Sequence, residues 1–173
     1  MKDLKTIYKF KNLIKVEKFY LRKLKIKNFH RIHLAHGCMA IIQKENRILI
    51  TKEYRAALNS FSYGLPGGML ENNETKKTCL KREVREELGL RIKIKEKIFE
   101  YTRNGNYGCG KDYVFLCEPK NDKITSEKGI FYDWKNYNQI LNMIIKNKFK
   151  TPGVITALMY FMLKKKIIRQ KDK

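Results

Sequence analysis

Apolar positions along the chain change their period several times, and each change marks an expected element. From Ile7 to Phe29, "IYKFKNLIKVEKFYLRKLKIKNF", apolar and basic residues alternate in short runs. Val16, Phe19, Leu21, Leu24 and Ile26 are the apolar members, and the pattern predicts two strands within the first thirty residues. "HLAHGCMAIIQKENRILITKEYR" then carries two apolar runs on either side of residues 44–46, whose polar side chains suit a hairpin turn. "RIKIKEKIFEYT" alternates Ile92, Ile94 and then Ile98, "DYVFLCE" is rich in strand formers, and the Gly-rich "RNGNYGCGK" lies between them, so a second hairpin is expected. "GIFYDW" reads as a last strand.

Elsewhere the period is helical. Leu80, Val84 and Leu88 recur every fourth residue, and "KNYNQILNMIIKN" places Ile140, Met143, Ile144 and Ile145 for one helical face. A further helix starts at "TPGVITALMYFMLKKK", with Thr151 as N-cap and Pro152 as first helical residue, where a missing N–H does no harm. The order of strands, helix, strands and helices, without internal repeat or low-complexity linker, gives a mixed α/β class in which sheet packs against helices.

Composition narrows this picture. A chain of 173 residues suits one domain, and 43% hydrophobic with 12% aromatic residues is too apolar for a disordered basic tail. The 39 Lys and Arg against 17 Asp and Glu give a net charge of +22, which favours anionic partners: nucleotides, RNA or an acidic membrane surface. Lys is spread along the whole chain with many Asn and Ile, so the charge also fits the base composition of the source genome. Cys38, Cys79, Cys109 and Cys117 form no CxxC pair and have no His at zinc-finger spacing, as free thiols of a reducing cytoplasm would. The first eighteen residues are interrupted by lysine throughout, unlike a secretory leader. "ALMYFML" falls far short of the roughly 20 residues of a spanning helix, so no membrane partner is expected, and residues 164–173 read as a basic, solvated tail.

Against that basic background, "REVREELG" crowds Glu83, Glu86 and Glu87 into five positions. On a helix they stand at i, i+3 and i+4, so their carboxylates share one face beside the Leu80, Val84 and Leu88 face. Gly89 suits a helix end that needs left-handed backbone. Adjacent carboxylates repel one another unless a cation neutralises them, and a hard divalent ion with oxygen ligands does so. A solvated acidic face paired with Arg82 and Arg85 is the alternative for the glutamates alone. The preceding "GLPGGM", whose glycines let backbone approach a metal or a phosphate, favours the metal.

Read from Gly68, the segment runs Gly, five residues, Glu74, seven residues, Arg82-Glu83-Val84, one residue, Glu86-Glu87, one residue, Gly89-Leu90. This resembles the Nudix hydrolase signature at every defining position. The resemblance implies a Nudix-type α/β/α sandwich with a mixed sheet between helices, the chain 1–173 forming one domain. Residues 1–30 are similar to a small N-terminal antiparallel sheet that in some members helps to build a homodimer. It implies Mg2+, with Mn2+ as a substitute, held by the carbonyl of Gly67 and by Glu83 and Glu87, with Glu86 assisting. Gly68, Glu74, Arg82 and Gly89 would be structural. The implied reaction is hydrolysis of the diphosphate linkage in a nucleoside diphosphate joined to another group.

Beyond this box, "KEYRAALNSFSYGLPGG" and "IIKNKFKTPGVITALMYF" are most similar to the ADP-ribose and nucleoside-diphosphate-sugar pyrophosphatase branch. There Arg55 would contact the substrate, and a late acidic loop would supply the catalytic base: Glu127 in "ITSEKGIFYDW", with Asp133 behind it; without Glu127, Glu83 or Glu86 would orient the water instead. The branch usually carries a proline followed by a glutamate in the loop after the box, where this chain has "RNGNYGCGK". Tyr107 in that loop falls near a tyrosine of dinucleoside polyphosphate hydrolases, or simply packs. ADP-ribose or a nucleotide sugar is the expected substrate. The alternatives are a dinucleoside polyphosphate, the 5′ end of RNA, and a module that senses a nucleotide sugar without turnover, although no box glutamate has been lost. Cys79 lies near the acidic face but is a poor ligand for an ion that prefers oxygen. His30, His33 and His36, read as sharing one strand face, lack a further ligand and are taken as surface or packing residues.

Overall fold

A computed structural model of the chain describes residues 4–11, 13–103, 105 and 108–167. The N-terminal alternation forms three strands, one more than expected: β1 (Lys5–Phe10), β2 (Ile14–Leu21) and β3 (Ile26–Leu34), joined as one antiparallel sheet in that order. A short 3-10 turn at Arg22–Leu24, closed by Lys25 at φ 54°, ends the second run so that Ile26 begins a new strand. The inner face of this sheet buries Phe19 and Glu17, whereas Tyr8, Phe10, Ile14 and Ile32 stand exposed on the outer face.

The second sheet contains β4 (Gly37–Lys44), β5 (Arg47–Arg55), β6 (Ser60–Gly64), β7 (Gly67–Met69), β8 (Ile92–Thr102), β9 (Lys111–Pro119) and β10 (Phe131–Asn136). Its path is β10-β5-β4-β9-β8, with β6 on β5 and β7 on β4. The β4–β5 hairpin pairs only beside its turn, Gln43 with Ile48 and Lys44 with Arg47. Beyond that point β4 runs parallel to β9 and antiparallel to β7, while β5 pairs with β6 and β10. The sheet is therefore mixed. It also opens between β4 and β5 at the end where the Gly-rich "GLPGGM" lies.

Alternation along β4 decides which helix covers which face. Ala40 and Ile42 pack with α1 (Lys76–Leu88), through Cys79, Leu80, Val84 and Leu88, while Ile41 packs with α2 (Tyr137–Ile145) and α3 (Pro152–Lys164), through Ile140, Val154, Leu158 and Phe161. The result is an α/β/α sandwich. Leu80, Val84 and Leu88 have no exposed surface, and each contributes about 1.5–3 kcal/mol by burial. Ile145 breaks the face expected for α2: it is 81% exposed, because five residues from Ile140 is about 140° around a helix. Thr151 does occupy the N-cap of α3, but its side chain makes no capping hydrogen bond; Asn136 and Gln139 form a full capping box on α2 instead. Among the described residues, no helix is long and apolar enough to cross a membrane.

Candidate active site

The site begins with how α1 is held. Thr75 caps it, its Oγ1 accepting from the N–H of Thr78 at 3.1 Å, and Gly89 ends it at φ 63°. Past the end, the N–H groups of Thr125 and Glu127 donate to the carbonyls of Leu88 and Glu87, each at 2.9 Å. Those carbonyls would otherwise lack partners. With its apolar face in the core, the helix turns Glu83 and Glu87 toward β7, while Glu86 stands exposed beside them.

The "GLPGGM" segment is not all loop: Gly67, Gly68 and Met69 form β7, paired with Met39, Cys38 and Gly37 of β4. The two glycines serve different ends. Gly67 stands at φ 148°, where a side chain would also overlap the Cys38 carbonyl, and a Cβ on Gly68 would overlap the Glu83 carboxylate. Bare backbone at Gly68 leaves the Glu83 carboxylate its place against β7. The Gly67 N–H donates to Glu87 Oε2 at 3.1 Å.

Arg82 joins these pieces. Its Nε and Nη2 donate to the two oxygens of Glu74, both at 3.0 Å, and Nη2 also reaches the Met69 carbonyl at 3.2 Å. Its Nη1 donates to Glu83 at 2.9 Å and to Glu86 at 3.0 Å. The guanidinium beside Glu74 holds that carboxyl below its ordinary range, and Arg82 itself is held firmly protonated. Glu83 is pushed upward, mainly by burial, with Arg82 opposing.

Glu87 is served least. Burial pushes its carboxyl up to about 8, and only the Gly67 N–H and Arg55 work against the rise, while Glu53 and Glu83 add to it. Arg55 therefore does stand in the field of Glu87, at the end of β5 and paired with Glu53. Glu53 was missed by sequence reasoning. The available signal was its place two residues from Arg55 in a strand, which puts both on one face.

The other candidates divide. Glu127 lies at the C-terminal end of α1 through its backbone, with an exposed side chain. Asp133 is not brought to the site: it pairs in register with Ile50 and lines a cavity of about 400 Å³ on the α2 side of the sheet, with Lys52, Tyr63 and Lys148. Cys79 is buried against the Gly68 carbonyl. Arg31 and His33 both reach Glu17, which fixes His33 on the inner face of β3 and His30 on the other, so the histidines do not share a face. Tyr107 lies outside the described residues.

Glu53, Glu74, Glu83, Glu86 and Glu87 share two guanidiniums, Arg55 and Arg82, which leaves the site short of positive charge. Among the described residues, no three acidic, His or Cys side chains close on a common point that could enclose a metal. Glu83 and Glu86 turn to Arg82, and Glu87 turns to Gly67. This donor set fits an ion such as magnesium, which uses one or two carboxylates and completes its octahedron with substrate phosphates and water.

Comparison with known proteins bears on this arrangement. A family model described as NUDIX domain matches residues 31–152. An 8-oxo-dGTP diphosphatase of Buchnera aphidicola subsp. Schizaphis graminum is 34% identical over 96 residues, covering 56% of this chain and 72% of that protein. An ADP-ribose pyrophosphatase of Methanocaldococcus jannaschii is 37% identical over 73 residues, 41% of each chain. A MutT-like protein of Streptomyces ambofaciens is 26% identical over 112 residues, 63% of this chain and 68% of the other. Among solved structures, that of an ADP compounds hydrolase superposes with a TM-score of 0.75 over 95% of this chain and 92% of the other, at 14% identity, a likeness of fold.

Proposed function

Because the chain belongs to the Nudix hydrolases, enzymes that act on small nucleotides and generally use a divalent metal, we propose that it hydrolyses the diphosphate linkage of ADP-ribose or of a nucleotide sugar. The observation that carries this reading is the under-neutralised pair Glu83 and Glu87, set against the Gly67–Gly68 backbone with Arg55 beside it. Glu83, Glu87 and the Gly67 carbonyl would hold Mg2+ or Mn2+, with Glu86 assisting. When bound, such an ion neutralises phosphate oxygens and lowers the pKa of an attacking water. Arg55 binds and orients the substrate's phosphates, and Arg82 and Glu74 keep β7 and α1 in register. Glu127 takes the proton from the attacking water; its backbone bond to the Glu87 carbonyl supports that role by tying its loop to the catalytic end of α1. Glu83 or Glu86 would take the proton instead if the Glu127 carboxylate does not reach the water.

The relative named as an ADP-ribose pyrophosphatase supports this substrate class, and the one named as an 8-oxo-dGTP diphosphatase supports a nucleoside triphosphate as the second reading. The net charge of +22 supports the 5′ end of RNA, whose cleavage should weaken steeply with salt. The whole chain, 1–173, would act as one cytoplasmic domain. The exposed apolar face of β1–β3 supports a homodimer, which sedimentation would show as twice the 20.7 kDa chain mass.

The test is a panel of ADP-ribose, sugar nucleotides, dinucleoside polyphosphates, 8-oxo-dGTP and triphosphorylated RNA, with magnesium or manganese, read by product mass. Cleavage of ADP-ribose or a sugar nucleotide between the two phosphates is expected. Faster cleavage of another substrate overturns the substrate assignment, and tight binding without turnover would make the protein a sensor.

A further inference from the structure

A second constellation of chemical groups lies away from the acidic helix, where the Gly-rich "RNGNYGCGK" segment meets the N-terminal sheet. Gly108 bridges in parallel to Ile32 of β3, and the Cys109 N–H donates to the Ile32 carbonyl at 3.1 Å. That docking fixes the loop one residue before His33 and delivers the Cys109 sulfur to 2.8 Å from His33 Nδ1. The other ring nitrogen, Nε2, bonds to Glu17 Oε2. Lys15 and Arg31 bond to the same carboxylate, which is 1% exposed.

These contacts fix the direction of the proton. Lys15 and Arg31, then His33, hold the Glu17 carboxyl down to about 2 despite its burial, so it is an anion that only accepts. His33 Nε2 must then carry the hydrogen, leaving Nδ1 free to accept from the thiol. The order of parts is nucleophile, base and a buried anion that orients the base, as in activated-nucleophile sites generally. Of the four cysteines, Cys109 is the half-exposed one, and Cys38, Cys79 and Cys117 are buried.

We propose that Cys109, His33 and Glu17 form a reactive-thiol centre, in which Cys109 is a modification site for peroxides. The Sγ–H proton passes to His33 Nδ1 as sulfur attacks one peroxide oxygen. The S–O bond forms while the O–O bond breaks, and the departing oxygen takes the proton from Nδ1. Cys109 becomes a sulfenic acid, oxidised by two electrons, and the peroxide is reduced to water or an alcohol.

Full-length protein is exposed to limiting hydrogen peroxide, sulfenic acid is trapped with dimedone, and adducts are located by peptide mass spectrometry beside free glutathione in the same solution. The expected result is adduct at Cys109 ahead of glutathione, little at the buried cysteines, and labelling at least about tenfold slower in His33→Gln. Cys109 reacting no faster than glutathione would overturn the proposal, as would equal rates in wild type and His33→Gln. The glutathione comparison uses wild-type protein alone, so it decides even if the variant does not fold.

Discussion

Two glutamates, Glu17 buried and Glu87 half-buried, meet opposite environments in this protein. Glu17 sits between strands, with an ammonium, a guanidinium and an imidazole around it, and its carboxyl is held down to about 2. Glu87 sits between α1 and β7, with one backbone N–H, the field of Arg55 and neighbouring acids, and burial pushes its carboxyl up to about 8. Burial opposes ionisation in both cases: at Glu17 the cationic partners outweigh it, whereas at Glu87 it is the largest effect. A satisfied buried anion fastens structure, whereas a carboxyl left short of partners has binding capacity for a cation.

That contrast is broken most directly at Glu87. Glu87→Gln should lower kcat/KM by on the order of a hundredfold or more, with thermal unfolding unchanged or slightly raised without metal. Hydrolysis assays and melting curves check this; a variant that is active, or unfolded, removes the contrast. Glu17→Gln should do the reverse, costing about 2 kcal/mol of stability by leaving Lys15 and Arg31 without their anion. Denaturant unfolding measures that cost, and turnover per folded molecule should be little changed.

The two carboxyls should also divide the pH profile of the metal-free protein. A depressed carboxyl stabilises above its ordinary value of 4.5, and that contribution is lost as the pH falls from 4.5 towards 2, so Glu17 accounts for acid sensitivity. A raised carboxyl acts in the other direction: stability falls as the pH climbs from 4.5 towards 8, the Glu87 effect. Urea midpoints between pH 3 and pH 8 in chelator, measured on both variants, should show each mutation flattening its own limb. Smaller again is Arg82→Lys, which keeps the charge but loses the fork onto Glu74 and should cost about tenfold in activity. Smallest is Thr75→Ala, a lost cap worth about 1 kcal/mol with chemistry intact, visible only in melting.

The acidic helix was legible because its information is local. The four-residue spacing of Leu80, Val84 and Leu88 fixes the buried face, and Glu83, Glu86 and Glu87 then share the face beside it with no knowledge of the rest of the chain. Even so, the sequence could not show that Glu83 and Glu86 turn to Arg82 while Glu87 turns to Gly67, since helix geometry places a Cβ and not a rotamer. The Glu17 cluster was illegible for the converse reason. Arg31 and His33 are 14 and 16 residues from Glu17, and Cys109 is 76 from His33, so the cluster exists only once strand register and loop docking are known. The third N-terminal strand was hidden by one residue, Lys25, whose left-handed turn interrupts an otherwise continuous alternation.

The bonds from Thr125 and Glu127 to the last carbonyls of α1 make the start of the late loop a fixed ruler measured from the helix end. One residue inserted between those anchors would move Glu127 by about 3.4 Å, a whole oxygen's reach. At Gly129, past both anchors, a side chain would meet only open space, so the loop can lengthen there without shifting the bonds that hold Thr125 and Glu127. Related chains should therefore vary in length at this turn and hold their count between the anchors.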